Sequence, residues 1–121
     1  MPIERRHVGK RLSEAVIVTP AGERLVFLAG QVADDPKADF ATQAKQVLAS
    51  IDRLLGEVGS DKTRLVSATI FLPDMADFPA LNAAWEAWVV AGQTPARATV
   101  EAALAHPDYK VEIQVVATAP A

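Results

Sequence analysis

A run of four consecutive apolar residues at positions 25–28 most constrains how this chain can fold. The run lies in a strand-like segment, residues 24–32 (RLVFLAGQV), and successive side chains of a strand point to opposite faces of a sheet. A strand that is apolar at every position needs cover on both faces. The rest of the chain predicts two helices, which can cover only one face of a sheet of about five strands. We expect another copy of the chain to cover the other face.

The apolar spacing predicts the order β-β-α-β-α-β-β. Strand-like runs lie at residues 15–19, 24–32, 64–72, 96–104 and 109–118. The first helix is predicted over residues 40–58, with Asp39 as its N-cap and Gly59 as its stop. Its apolar stripe is Ala44, Val47, Leu48, Ile51, Leu54, Leu55 and Val58, and the second helix carries Phe78, Leu81, Trp85, Trp88 and Val89. We therefore expect one α+β domain over residues 1–121, with both helices packed on one face of the sheet.

Composition excludes several classes of chemistry. The chain has no cysteine, which rules out disulfides, thiolate catalysis and Cys-ligated metal, and favours a cytoplasmic protein. The net charge of -3 gives no positive field for a phosphate backbone, so we expect no nucleic-acid partner. The charged N-terminal segment does not resemble a signal peptide, and no apolar run is long enough to span a membrane. The two histidines, His7 and His106, lack metal-ligand spacing, so no metal site is predicted.

Polar residues alternate with apolar ones in the last two predicted strands. In the fourth strand the polar set is Arg97, Thr99 and Glu101, and we expect the small apolar set between them to face the helices. In the fifth strand Glu112 and Gln114 are the polar set. The alternation thus predicts that Arg97 and Glu112 share the sheet face covered by a neighbouring subunit.

Two interpretations of these charged residues stay open. Arg97 could form an interface salt bridge with Glu112 or Glu101, because a covered charge needs a partner. Alternatively, its planar fork could bind a substrate carboxylate, with a nearby glutamate holding or deprotonating a water molecule. Gly30 permits a close backbone approach to a ligand, or is a simple bulge.

Four segments resemble successive motifs of the reactive intermediate deaminase family (RidA/YjgF-like). They are residues 28–32 (LAGQV), the Phe78-x-x-x-Asn82-x-x-Trp85 helix start, residues 94–101 (TPARATVE) and residues 111–113 (VEI). The resemblance runs from about residue 12 to residue 117. It implies a chorismate-mutase-like fold assembled as a homotrimer, with clefts between subunits. It also implies hydrolysis of enamines and imines, such as 2-aminoacrylate, to 2-keto acids and ammonia without a cofactor.

The resemblance also assigns roles to individual residues. It implies that Arg97 clamps the substrate carboxylate and that Glu112 holds the attacking water. Backbone groups at Gly30 would contact the reacting end of the substrate, while Asn82 would border the cleft. Thr99 completes the implied substrate-binding set.

The chain departs from the family pattern at four positions. Leu12 stands where a substrate-facing tyrosine is usual, Ala29 replaces a serine, Thr99 a frequent cysteine and Gln114 a glutamate. These changes bear on substrate range more than on the carboxylate clamp. Ribonuclease and translation-inhibitor names used in the family gain little physical support from an acidic chain without a histidine pair. A trimeric protein that binds small ligands in the same clefts without turnover is the alternative function.

Overall fold

The computed structural model describes residues 3–8, 10, 13–20 and 22–121. In the described chain, three strands are followed by a helix, a strand, a second helix and two further strands. The elements are β1 (Ile3–Val8), β2 (Ser13–Val18), β3 (Glu23–Leu28), α1 (Phe40–Glu57), β4 (Leu65–Leu72), α2 (Phe78–Trp88), β5 (Ala96–Glu101) and β6 (Glu112–Pro120). The strands form one mixed sheet in the order β1-β2-β3-β6-β4-β5. Of these pairings, only β4 with β5 is parallel, and α2 makes the crossover between those two strands.

The predicted α+β sheet with two helices on one face is confirmed, with one strand more than the sequence predicts. That strand, β1, has the sequence IERRHV and forms an edge of the sheet. Most of its side chains are exposed, so it needs no apolar alternation. The strand is specified by its antiparallel pairing with β2, and composition gives no signal for that pairing.

The boundaries of α1 follow from its caps. Asp39 accepts a hydrogen bond from the backbone N–H of Thr42 at 2.9 Å, as an N-cap does. At the other end Gly59 has φ +79°, and the N–H of Ser60 donates to the carbonyl of Leu55 at 2.8 Å. This left-handed turn closes the helix in the manner of a Schellman motif. Both predicted caps are confirmed, and the whole predicted apolar stripe of α1 is buried.

The core lies between the helices and one face of the sheet. Central strand β6 contributes Ile113, Val115, Ala117 and Ala119, each at most 1% exposed. The opposite face, here called the open face, carries Phe27 and Val100, which are 40% and 42% exposed. A second copy of the chain over this face stays a prediction. In the part of the chain that the structure describes, no helix has the length and hydropathy of a membrane span.

Acid is expected to weaken the start of α1. The N–H of Thr42 holds the pKa of Asp39 below its usual value, because it stabilises the ionised carboxylate in the folded state. The stabilisation is complete above the unfolded pKa, near about 4, and is lost as the pH falls through the lower folded pKa. Asp39→Asn keeps a capping oxygen that does not titrate. Urea unfolding at pH 7 and pH 3 should show a smaller acid loss for this variant, and equal losses would contradict the assignment.

Candidate functional site

Arg97 is the second residue of β5, and its side chain points to the face that carries the helices. It pairs in register with Ala68 of β4, which is buried in the core. A terminal guanidinium nitrogen of Arg97 donates to Oδ1 of Asn82 at 2.9 Å. The guanidinium carbon lies 5.9 Å from the ring centre of Phe78 and 5.7 Å from that of Trp85. An amide oxygen and two aromatic rings of α2 therefore fix the direction of this cation.

The predicted orientation of β5 is wrong. The small apolar residues Ala96, Ala98 and Val100 are exposed on the open face, while Arg97 and Thr99 lie toward the helices. Alternation shows which residues share a face, but it does not show which face is the core. β5 is an edge strand with no large aliphatic side chain on its polar face, and the rings of α2 cover the guanidinium instead.

Most of the hydrogen-bonding capacity of Arg97 is unused. A guanidinium has five N–H donors, and the described residues accept one hydrogen bond from it. No carboxylate among those residues lies within 4.0 Å of it, so the predicted ion pairs with Glu101 and Glu112 do not form within one chain. Thr99 shares this face, and its buried Oγ1 has no hydrogen-bond partner in the described structure. The arrangement can bind a carboxylate through the planar fork.

We call these residues the Arg97 half-site. It comprises Arg97, Asn82, Thr99, Phe78 and Trp85. The sequence prediction contained the first three and placed Phe78 and Trp85 in the apolar stripe of the second helix. Phe78, Asn82 and Trp85 are spaced i, i+4 and i+7 on α2, which places them on one helix face. Any side chain that reaches Asn82 therefore lies beside both rings, and this spacing is the signal that could have revealed them.

Glu112 begins β6 and lies on the open face, where it pairs with Phe71 of β4. Its carboxyl group packs against the backbone of Gly30. A Cβ atom at Gly30 would lie 2.9 Å from Cδ of Glu112 and closer still to Oε2, so any larger residue would displace this carboxylate. Two main-chain hydrogen bonds between Gln31 and Ile113, at 2.9 and 3.1 Å, hold the segments together. We call Glu112 and Gly30 the Glu112 half-site.

The two half-sites do not meet within one chain. Arg97 lies beside position 68 of β4 and Glu112 beside position 71, with β4 between their strands. These offsets separate the two backbone positions by on the order of 14 Å. The two side chains also leave opposite faces of the sheet. The prediction that Arg97 and Glu112 share a face is therefore wrong.

The remaining candidates lie outside both half-sites. Leu12 is outside the described residues. Gln114 is exposed on the open face, and Ala29 donates its backbone N–H to the carbonyl of Glu14 at 2.7 Å. His7 makes a 2.6 Å contact with Glu57 at the surface. Among the described residues, no group of three or more His, Cys, Asp or Glu side chains could hold a metal ion.

Comparison with known proteins decides the family. The family model described as Endoribonuclease L-PSP, that of the YjgF/RidA proteins, matches residues 5–119. The chain belongs to this family. A RutC family protein from Haemophilus influenzae is 44% identical over 119 residues, covering 98% of this chain and 99% of that protein. The crystal structure of a YjgF family member from Neisseria meningitidis superposes with a TM-score of 0.90 at 45% identity, covering 100% of this chain and 98% of the other.

A relative with a named activity is more distant. The 2-iminobutanoate/2-iminopropanoate deaminase of Escherichia coli is 33% identical over 100 residues, which cover 77% of this chain and 78% of that enzyme. The sequence resemblance to the YjgF/RidA family is therefore confirmed.

Proposed function

We propose that this member of the YjgF/RidA family hydrolyses 2-imino acids, and the enamines that tautomerise to them, to 2-keto acids and ammonia. Water adds across the C=N bond, with its oxygen on carbon and one proton on nitrogen, to give a carbinolamine. The hydroxyl proton then passes to nitrogen, the remaining carbon–nitrogen bond breaks, the keto C=O bond forms and ammonia leaves. The reaction is not a redox reaction and uses no cofactor. The relationship to the Escherichia coli deaminase supports this choice of substrate class.

One observation carries the proposal: the half-buried guanidinium of Arg97 has no carboxylate partner among the described residues. A partly buried cation without a counter-ion favours an anionic ligand, because the ligand replaces lost hydration with charge-assisted hydrogen bonds. The free donors of the fork suit the two oxygens of an α-carboxylate. In this proposal Asn82 and the rings of Phe78 and Trp85 hold the fork in place, and Thr99 supplies a hydroxyl beside it.

Glu112 is proposed to hold the attacking water. Hydrolysis of an imine needs a water molecule placed against the electrophilic carbon and a group that moves protons from oxygen to nitrogen. Glu112 can accept a proton from water, and the absence of a side chain at Gly30 lets the carboxylate lie against the backbone there.

Arg97 and Glu112 do not meet within one chain, so a site that uses both residues needs two chains. Since Arg97 and Glu112 point from opposite faces, we propose a homotrimer in which the Arg97 half-site of one subunit faces the Glu112 half-site of the next. The apolar side chains on the open face, Phe27 and Val100 among them, then become buried between subunits.

Ammonia release from freshly generated 2-iminobutanoate tests the proposal. The rate above the uncatalysed background is expected to rise in proportion to protein concentration, because each cleft supplies an oriented water. Spontaneous hydrolysis must be measured in parallel at the same pH. A protein that binds pyruvate but adds nothing to the background rate would be a ligand-binding protein and would contradict the deaminase proposal.

A further inference from the structure

Gln43 places a primary amide inside the apolar stripe of α1. Its side chain is 0% exposed. Nε2 lies 3.0 Å from the carbonyl oxygens of Ala38 and Asp108 and 3.1 Å from that of Pro36. Oε1 accepts the backbone N–H of Lys110 at 2.9 Å. One buried side chain thus joins α1 to two separate loops.

These loops lead to the two members of the Glu112 half-site. Lys110 precedes Glu112 by two residues, and the residue between them, Val111, is 0% exposed and cannot swing freely. The hydrogen bonds of Gln43 therefore tie the segment just before β6 to α1. A shift of the segment around Lys110 would move the Glu112 carboxylate with it.

A second hydrogen bond from α1 holds the Gly30 side of the Glu112 half-site. Ser50 lies two turns after Gln43 on the same helix face, and its hydroxyl donates to Oε1 of Gln31 at 3.0 Å. Nε2 of Gln31 in turn donates to the carbonyl of Ala29 at 3.0 Å. Ala29 and Gln31 flank Gly30. The helix is therefore hydrogen-bonded to the segments that carry Gly30 and Glu112.

We propose that Gln43 is a positioning residue for Glu112: its amide fixes the start of β6 so that the carboxylate is held against Gly30 and the water. This inference rests on the proposed deaminase activity. Gln43 belongs to neither half-site, and its hydrogen bonds on the β6 side go to the backbone of residues 108–110. It should accordingly affect the turnover rate more than carboxylate binding, which belongs to the Arg97 half-site.

Gln43→Glu tests the inference through its pH profile. The variant keeps the shape and the acceptor for Lys110, but its ionised form has no proton to donate to the three carbonyls. Its protonated form donates one, and burial among carbonyl oxygens favours protonation. Relative to wild type, kcat is expected to fall about tenfold or more at pH 8 and to recover toward pH 6, with pyruvate affinity nearly unchanged. A kcat ratio near one at both pH values, with only a lower melting temperature, would overturn the positioning role.

Lys37→Ala is the matched control. Lys37 Nζ pairs with Oδ2 of Asp108 at 2.7 Å and bridges the same two loops from outside, with its side chain 81% exposed. The pair holds the pKa of Asp108 below its usual value and that of Lys37 above it. Such an exposed ion pair contributes little to stability, so we expect Lys37→Ala to keep the kcat of wild type. A tenfold loss of kcat in this variant would count against a role specific to Gln43.

Two further measurements keep the outcomes distinct. An inactive wild type would refute the proposed function, whereas an active wild type with an unaffected Gln43→Glu would refute only the positioning role. If Gln43→Glu does not fold at pH 8, Gln43→Met replaces it, because methionine keeps the length of the side chain but cannot donate to the carbonyls. A lower kcat with pyruvate affinity retained then supports the inference, and a wild-type kcat overturns it.

Discussion

Glutamine in place of Glu112 is expected to lower the turnover of a 2-imino acid by about a hundredfold or more, which is typical of losing a general base. The substitution keeps the size of the side chain and its contact with Gly30, and it removes only the charge and the proton acceptor. Affinity for pyruvate should stay close to that of wild type, because in the proposed site the carboxylate binds to the Arg97 half-site. Steady-state kinetics and pyruvate titration on the same preparation measure both quantities.

Glu101→Gln is the control for this prediction. Glu101 is the last residue of β5 and is exposed. The alternation of side chains in β5 places it on the same face as Arg97. Full activity in Glu112→Gln with loss in Glu101→Gln would transfer the role to Glu101. If neither change lowers turnover, backbone groups hold the water and both carboxylates are structural.

Alanine in place of Arg97 is expected to weaken pyruvate binding by more than about a hundredfold. Two charge-assisted hydrogen bonds to a carboxylate contribute about 3 kcal/mol or more, which corresponds to that factor. Arg97→Lys keeps the charge without the planar fork and should bind with intermediate affinity. Trp85 lies 5.7 Å from the guanidinium, so its fluorescence can report binding once Trp88→Phe removes the other tryptophan.

Mixed assemblies show whether the two half-sites come from different subunits. Arg97→Ala and Glu112→Gln should each be nearly inactive alone. In trimers assembled at random from equal amounts of both, about one quarter of the clefts regain an intact arginine and an intact glutamate from neighbouring subunits. Restored activity near that fraction, with a trimer mass by sedimentation equilibrium, is the expected result. No restored activity, or a well-behaved monomer at micromolar concentration, would contradict the shared site.

Hydrophobic spacing was enough to predict both helices and the core side of β6. In β6 large aliphatic residues alternate with polar ones, so pattern and burial agree. In β5 the small apolar residues lie on the open face, and the guanidinium of Arg97 lies under α2. The same pattern therefore led to the wrong prediction of which side of β5 faces the helices. The error arises because the apolar side of an edge strand can face a partner chain instead of its own core.

The buried amide of Gln43 marks a second limit of sequence reasoning. A glutamine within an apolar helical stripe indicates an internal hydrogen-bond partner, because an unpaired buried amide is unfavourable. The partners are carbonyl and N–H groups of two loops, the farther of which is 65 to 67 residues away in sequence. Local periodicity carries no information about such distant backbone groups.

The position of β6 has a consequence for the order in which the molecule folds. β6 is last in sequence, yet it lies between β3 and β4 and joins them into one sheet. Asn82 and Arg97 both lie in the β4–α2–β5 crossover and are close in sequence, so bringing them together closes only a short loop. Gly30 and Glu112 are much farther apart in sequence, so their contact requires a much longer loop to close. We expect the Arg97 half-site to form early in folding and Glu112 to reach its place last. An intermediate in which β6 has not yet docked would already hold the proposed carboxylate-binding residue, Arg97, while lacking the proposed base, Glu112.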